Sequence, residues 1–430
     1  MKVLIQDVAV ITANRKNEVL SHADVVITND KISYVGPTKA WQAEFNEVID
    51  GRGKLVTPGF VNAHGHAAMS LLRSYADDMP LMQWLEKRIW PVEARLQPED
   101  VYWGTLLAIA EMLKGGTTTF TDMYFYMDQV ARAAARAGIR AVLSRGLVGV
   151  GNEAKSGLQE NKEFVRQWHG RADGRITTML GPHAPYTCPP AYLREVLAVQ
   201  AELEVPLHIH LAETMDETDQ IMAEYGVSPT KLLLEAGVLD CPVLAAHCVH
   251  LSAEDMDILQ EKHVHVAHNP GSNLKLGSGI APVPELLSRG ITVGLGTDSA
   301  ASNNNLDMLE EMRLAALLHK GSRMDPTLIT AEEAVAMATR ESAAAVFLPD
   351  VGSIEEGKKA DLLLWDLRQP HLTPKHNLVA HLVYAAQPSD IKMVMVNGTI
   401  VCRNGRLTLM DEDEIIFEAE QRARRLVGIA

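Results

Sequence analysis

Residues 57–66 read Thr57-Pro-Gly-Phe-Val-Asn-Ala-His-Gly-His66. Alternate residues of a strand project to one face. Two imidazoles spaced two apart at the end of an apolar strand therefore converge on one point, as ligands of a single metal ion must. A metal held at a strand end with room for water points to hydrolytic chemistry.

Outward from this stretch, strand and helix patterns alternate. Candidate strands lie at 55–62, 117–122, 140–145, 176–182, 206–211, 243–246, 264–268 and 291–297, separated by helical stretches such as 98–114 and 190–203, often closed by glycine as at Gly115-Gly116, Gly138, Gly237 and Gly290. Eight strand–helix repeats are the count of a (β/α)8 TIM-like barrel, whose active site lies at the C-terminal ends of its strands. The polar residues fall where that rule asks. His64 and His66 end strand one, Arg145 strand three, His183 strand four, His210 strand five with Glu213 just beyond, His247 strand six, His268-Asn269 strand seven and Asp298 strand eight.

Both ends of the chain have a different character. Residues 25–28 and 31–35 flank an Asn29-Asp30 turn, and residues 391–396 and 399–402 flank Asn397-Gly398. The expected α/β organisation is the N-terminal part of a small β-sandwich at 1–57, a metal-dependent barrel at 58–348, and the C-terminal part of the sandwich with a terminal helix at 349–430.

A net charge of −15 excludes non-specific attraction to nucleic acid or anionic membrane. The first residues lack the apolar run of a signal peptide, and no eighteen-residue apolar stretch occurs, so a cytoplasmic protein is expected. Cys188, Cys241, Cys248 and Cys402 form no CxxC pair and read as reduced thiols, with Cys248 a small core residue. Residues 352–359 nearly match a phosphate-binding loop, but Lys359 stands where Ser or Thr is required, and the stretch reads as a turn. His208 lies one layer below His210 and reads as packing. His263 and His265 sit at the wrong end of strand seven. His319, His371, His376 and His381 fall outside the strands and read as solvated or structural.

Three imidazoles and a carboxylate (His64, His66, His210 and Asp298) suit Zn²⁺, and Fe²⁺ accepts similar ligands. No lysine ends strand four to bridge a second ion, so one metal per subunit is expected. At these residues the sequence resembles the amidohydrolase superfamily, and more narrowly the 5-methylthioadenosine/S-adenosylhomocysteine deaminase family. The resemblance covers essentially the whole chain and rests on PGFVNAHGHAAMSLLRSYADDMPLMQWL from Pro58, GPHAPYTC from Gly181, HIHLAET from His208, HCVHL from His247, HNPGSNLKLGSG from His268 and GLGTDSAASNNNLDM from Gly294.

The resemblance implies that His64, His66, His210 and Asp298 hold the metal, that Glu213 shuttles protons, and that His247 polarises water or holds the tetrahedral intermediate. Asp298 would also relay a proton to the departing amine. For substrate it implies Glu93 on the ribose hydroxyls, His183 against the ligand, Trp84 as an apolar wall near the thioether tail, Ser302 within reach, and Arg145 facing the amino-acid carboxylate of S-adenosylhomocysteine. The implied reaction is hydrolytic deamination of adenosine-type nucleosides, with release of ammonia. A second arginine expected in the family falls at Gly157, with Lys155 the nearby cation. An ammonium cannot reproduce a guanidinium's bidentate grip on carboxylate. Methylthioadenosine or adenosine is therefore the expected better substrate.

Two other readings stay open. One is a deaminase or dechlorinase acting on guanine, cytosine or a chlorotriazine. The other is a metal-free barrel serving as a scaffold. A small-molecule nucleoside is the expected partner, in a homo-oligomer, with neither nucleic acid nor membrane.

Overall fold

The computed structural model describes residues 1–151 and 154–428. Its centre is an eight-stranded parallel sheet in strict chain order: Phe60–Asn62, Thr117–Tyr124, Arg140–Leu147, Ile176–Pro182, Leu207–Leu211, Val243–His247, His265–His268 and Val293–Leu295. The last strand meets the first through Ala63 N–H to the Leu295 carbonyl at 2.8 Å and Asp298 N–H to the His64 carbonyl at 3.0 Å. These two bonds close the barrel at the end where the candidate ligands lie. Helices such as Pro98–Lys114, capped by Gln97 and Asp100, and Met127–Ala137 cover the outside.

The stretch read as one strand at 55–62 is two. Lys54–Pro58 belongs to the sheet built from the chain ends, and Phe60–Asn62 begins the barrel. Gly59 separates them because the chain passes against Thr118 there; a Cβ on Gly59 would sit 2.1 Å from the threonine hydroxyl. The apolar pattern continues through the break, and Pro58-Gly59 is the sequence signal that marks it.

The terminal segments form one mixed nine-stranded sheet. Lys54–Pro58 is its seam, antiparallel to Leu362–Asp366 on one side and parallel to Lys2–Ile11 on the other. Both hairpins form as read, with Thr28 opposite Lys31 and Val396 opposite Thr399. The sheet wraps a core of its own that includes Val3, Ile5, Val25, Ile27, Leu362 and Met395. Residues 352–359 form turns leading into this sheet. The four cysteines are free.

One buried ion pair ties the two parts together. Arg140, at the start of the third barrel strand, donates through Nε to Asp361 Oδ2 at 2.7 Å and through Nη2 to Oδ1 at 3.1 Å. The Asn397 N–H also donates to Asp361, at 2.6 Å. Burial alone would lower the Arg140 pKa, but Asp361 outweighs it and the guanidinium is held above its ordinary value. Among the described residues, no helix is long and apolar enough to cross a membrane.

Candidate metal and substrate site

His64, His66, His210 and Asp298 meet at the C-terminal mouth of the barrel. His66 Nε2 lies 3.3 Å from Asp298 Oδ1 and 3.3 Å from His210 Nε2, while His64 Nε2 is 3.5 Å from the same carboxylate oxygen. The other ring nitrogens are engaged. His66 Nδ1 faces the Met123 carbonyl at 2.6 Å, and His210 Nδ1 faces the His183 carbonyl at 2.8 Å. A carbonyl only accepts, so each Nδ1 carries a proton, and in the neutral ring each Nε2 is left with a lone pair.

Two lone pairs 3.3 Å apart repel unless a cation lies between them. His64 Nε2, buried and without a hydrogen-bond partner, is part of the same cluster. Three imidazole nitrogens and a carboxylate oxygen thus fit a divalent ion. The local field agrees. Burial drives His64 down to about 3, so it stays neutral. Burial also opposes charge on His66, but Asp298 outweighs it and lifts that imidazole to about 9. This point favours a positive charge.

Each group is braced from behind. Asp298 Oδ2 accepts the hydroxyls of Ser272 at 2.6 Å and Ser302 at 2.8 Å, leaving Oδ1 to the histidines. Ser302, read as a residue within reach of the ligand, thus lies in the cavity wall with its hydroxyl on Asp298. His64 Nδ1 lies 2.8 Å from His208 Nε2. His208 was read as packing; its role is more specific, because as the neutral acceptor it fixes the His64 ring. Its burial holds it far below the ordinary imidazole range. Outer partners of this kind orient metal-binding histidines and set their tautomers.

His247 Nδ1 lies 2.8 Å from Asn273 Oδ1, which turns Nε2 toward Glu213 Oε2 at 3.8 Å. His247 is also close enough to His64 and His210 to share an ion with them, all three ligand atoms lying within 4.8 Å of one another. His247 and Asp298 have φ of 73° and 59°. Left-handed backbone at bulky residues is strained, and such strain gathers at functional sites. Burial raises the Glu213 pKa, with His247 opposing.

His268, counted in the sequence among the strand-end groups, turns the other way. It alternates with Ala267, which packs in a separate apolar cluster with Val61, Ala63 and Leu244, and its ring lies 5.8 Å from His319 of helix Met308–Arg323. His319 is accordingly buried rather than solvated. Asn269, the next residue, does reach His247, at 3.4 Å.

Beside the ligands opens a cavity of about 420 Å³ lined by His66, His183, His210, Glu213, His247 and Asp298 together with Trp84, Glu93, Phe125 and Tyr186. A helical run, Leu81–Trp84, Leu85–Ile89 and Trp90–Glu93, supplies much of its wall; the middle stretch has the wide π-type winding often found at functional sites. Trp84 gives its indole N–H to the Ala76 carbonyl at 2.9 Å, leaving an apolar ring for the cavity. Glu93 Oε1 accepts the Tyr124 hydroxyl at 2.7 Å, and burial raises its pKa. Tyr124, which sequence reading missed, ends the second barrel strand; its position at a strand end was the available signal. His183 Nδ1 pairs with the Thr187 hydroxyl at 2.9 Å.

Arg145 lies apart from this lining. Its Nε donates to Glu160 Oε2 at 3.1 Å, and its guanidinium stacks 5.4 Å from the Phe125 ring centre. Gly157 makes room for it, since a Cβ there would come within 3.3 Å of Nη1. Among the described residues, the cavity wall holds no lysine or arginine.

Residues 55–401 match the amidohydrolase family. The chain is 55% identical over 428 residues to the 5-methylthioadenosine/S-adenosylhomocysteine deaminase of Pelotomaculum thermopropionicum, covering 99% of each. Among solved structures it is similar to an adenosine deaminase from Xanthomonas campestris with bound zinc, at 35% identity and a TM-score of 0.95, covering 99% of this chain and 98% of that one. An atrazine chlorohydrolase from Arthrobacter aurescens complexed with zinc follows at 28% identity and a TM-score of 0.92, covering 98% of this chain and 100% of that one.

Proposed function

The chain belongs to the amidohydrolase family, and on that premise we propose that it is a hydrolytic deaminase of 5-methylthioadenosine and related adenosine nucleosides, releasing ammonia and the inosine analogue. The observation that carries the reading is one largely apolar cavity holding a buried, protonatable Glu213, a metal-binding quartet and a second carboxyl, Glu93, fixed by Tyr124. A ribose offers two adjacent hydroxyls that one carboxylate can accept together.

His64, His66, His210 and Asp298 would hold one Zn²⁺ per subunit, with Fe²⁺ the alternative, and the ion would supply a water acidified to near neutrality. Glu213, whose protonated form burial favours, donates to N1 of the adenine ring and makes C6 electrophilic. His247, its Nδ1 committed to Asn273, presents Nε2 to the attacking water and to the oxygen that develops at C6. Asp298, steadied by Ser272 and Ser302, takes one of the water's protons and passes it to the exocyclic nitrogen, so that ammonia leaves rather than amide ion, and the proton left on the C6 oxygen returns to Glu213 as the carbonyl forms. His183 packs against the base, and Trp84 walls the 5′ substituent. Because Arg145 is committed to Glu160, uncharged 5′ groups are favoured over the amino-acid tail of S-adenosylhomocysteine.

The test is ammonia release from adenosine, 5-methylthioadenosine, S-adenosylhomocysteine, guanine and cytosine. Turnover of the three nucleosides and not the bases is expected. Faster turnover of guanine or cytosine overturns the reading, and a chlorotriazine as the best substrate would favour a dechlorinase.

A further inference from the structure

Glu217, on the first turn of helix Met215–Tyr225, is buried, yet it has no part in the metal quartet or the described cavity wall. Its two oxygens serve two consecutive peptides. Oε1 accepts the Ala212 N–H at 3.0 Å and Oε2 the Glu213 N–H at 2.9 Å. Between them Ala212 adopts φ of 49°, a left-handed conformation unfavourable for a residue with a Cβ. The Ala212 carbonyl accepts the N–H groups of Val249 at 3.0 Å and His250 at 2.9 Å, in the loop just after His247. One strained turn thus connects Glu213 to the segment carrying His247, and the Glu217 carboxylate holds it from below.

Here the two successive N–H donors are taken by separate oxygens of one side chain, an arrangement that among side chains only a carboxylate provides. Glutamine would present an NH₂ to one of them. Burying a carboxyl is costly and pushes Glu217 up, while the Ala212 and Glu213 N–H groups pull it back toward the ionised form that accepts both. A group kept at that cost and aimed at two backbone amides sets geometry.

We propose that Glu217 is a positioning residue for deamination: its carboxylate locks the Ala212–Glu213 turn and so aims the Glu213 side chain at the substrate ring. The inference rests on the reading of Glu213 as the proton donor. Glu213 gives up its proton only as C6 is attacked, whereas the cavity wall binds substrate beforehand. Loss of aim therefore lowers kcat and spares KM.

The experiment compares wild type, E217Q, E217L and the double variant E217Q/A212G with 5-methylthioadenosine as substrate, measuring kcat, KM, bound metal and thermal unfolding. A misplacement of this size costs on the order of tenfold to a hundredfold in kcat. E217Q is expected to show that loss with KM within about twofold and full metal content, and E217L a larger loss. A212G, which relieves the left-handed strain, is expected to restore part of the lost kcat in the E217Q background. Unchanged kcat in E217Q overturns the inference, as does parallel loss of kcat and bound metal. If E217Q and the double variant both fail to fold, Glu217 serves folding alone and the inference falls. If wild type releases no ammonia from any nucleoside, the functional reading itself is wrong; if wild type is active and E217Q equals it, only the positioning role is lost.

Discussion

The two ends of the barrel treat buried charge in opposite ways. At the floor, Arg140 and Asp361 face each other with complementary hydrogen bonds, and Asn397 engages Asp361 as well. At the mouth, Nε2 atoms of His66 and His210 stand 3.3 Å apart with, in the neutral rings, no proton to share, and His64 Nε2 has no partner. The floor is electrically complete within the chain; the mouth is complete only with an added cation. What marks the mouth is convergence: several ligand atoms of buried side chains gather on one point, which isolated buried polar groups elsewhere among the described residues do not do.

Perturbing either end sharpens this contrast. The largest effect is expected from Glu213→Gln, which removes the donated proton while keeping shape. It should lower kcat by about 10²- to 10⁴-fold with bound metal and unfolding temperature unchanged, and full activity in this variant would break the assignment of the mouth to catalysis. Arg140→Ala leaves Asp361 buried and unpaired, so denaturant unfolding should show a loss of about 3–5 kcal/mol with kcat near wild type below the transition. A fall in kcat without destabilisation would erase the distinction between the two ends.

The pH profile comes next. Burial raises the Glu213 pKa, and the protonated form is the active one. Activity tied to this group is therefore present below the raised pKa and lost as pH rises through it. The kcat/KM profile should show a basic limb above the ordinary glutamate range; a limb at ordinary glutamate values would place Glu213 in contact with water. The smallest effect is expected at the rim. Glu160→Gln releases Arg145 from an ion pair that is partly exposed on the Glu160 side. An exposed pair of this kind is worth up to about 1 kcal/mol, so kcat/KM for S-adenosylhomocysteine relative to 5-methylthioadenosine should rise about twofold to fivefold. An unchanged ratio would show that Glu160 does not restrain Arg145.

The mouth was legible in the sequence because strand periodicity and the strand-end rule together place His64, His66, His210 and Asp298 without any knowledge of contacts. What supports them was not. His66 and His210 owe their tautomers to the backbone carbonyls of Met123 and His183, and every residue carries a carbonyl, so side-chain identity holds no trace of the pairing. His208 looked like packing because a neutral imidazole serves equally well as filler or acceptor. His268 was misplaced through parity, since one residue along a strand reverses the face. Arg145 was read from its position at a strand end, while its partner Glu160 sits on a helix across a loop, a separation that one sequence does not resolve.

The seam strand Lys54–Pro58 has a consequence for how the molecule is made. It is synthesised early, yet its neighbour Leu362–Asp366 emerges only after every barrel strand has been translated. During synthesis its open side lacks that hydrogen-bonding neighbour, and pairings between such distant segments form slowly. The terminal sheet is thus a closing clasp, and a ribosome that stalls before residue 362 leaves the Lys54–Pro58 edge without that partner.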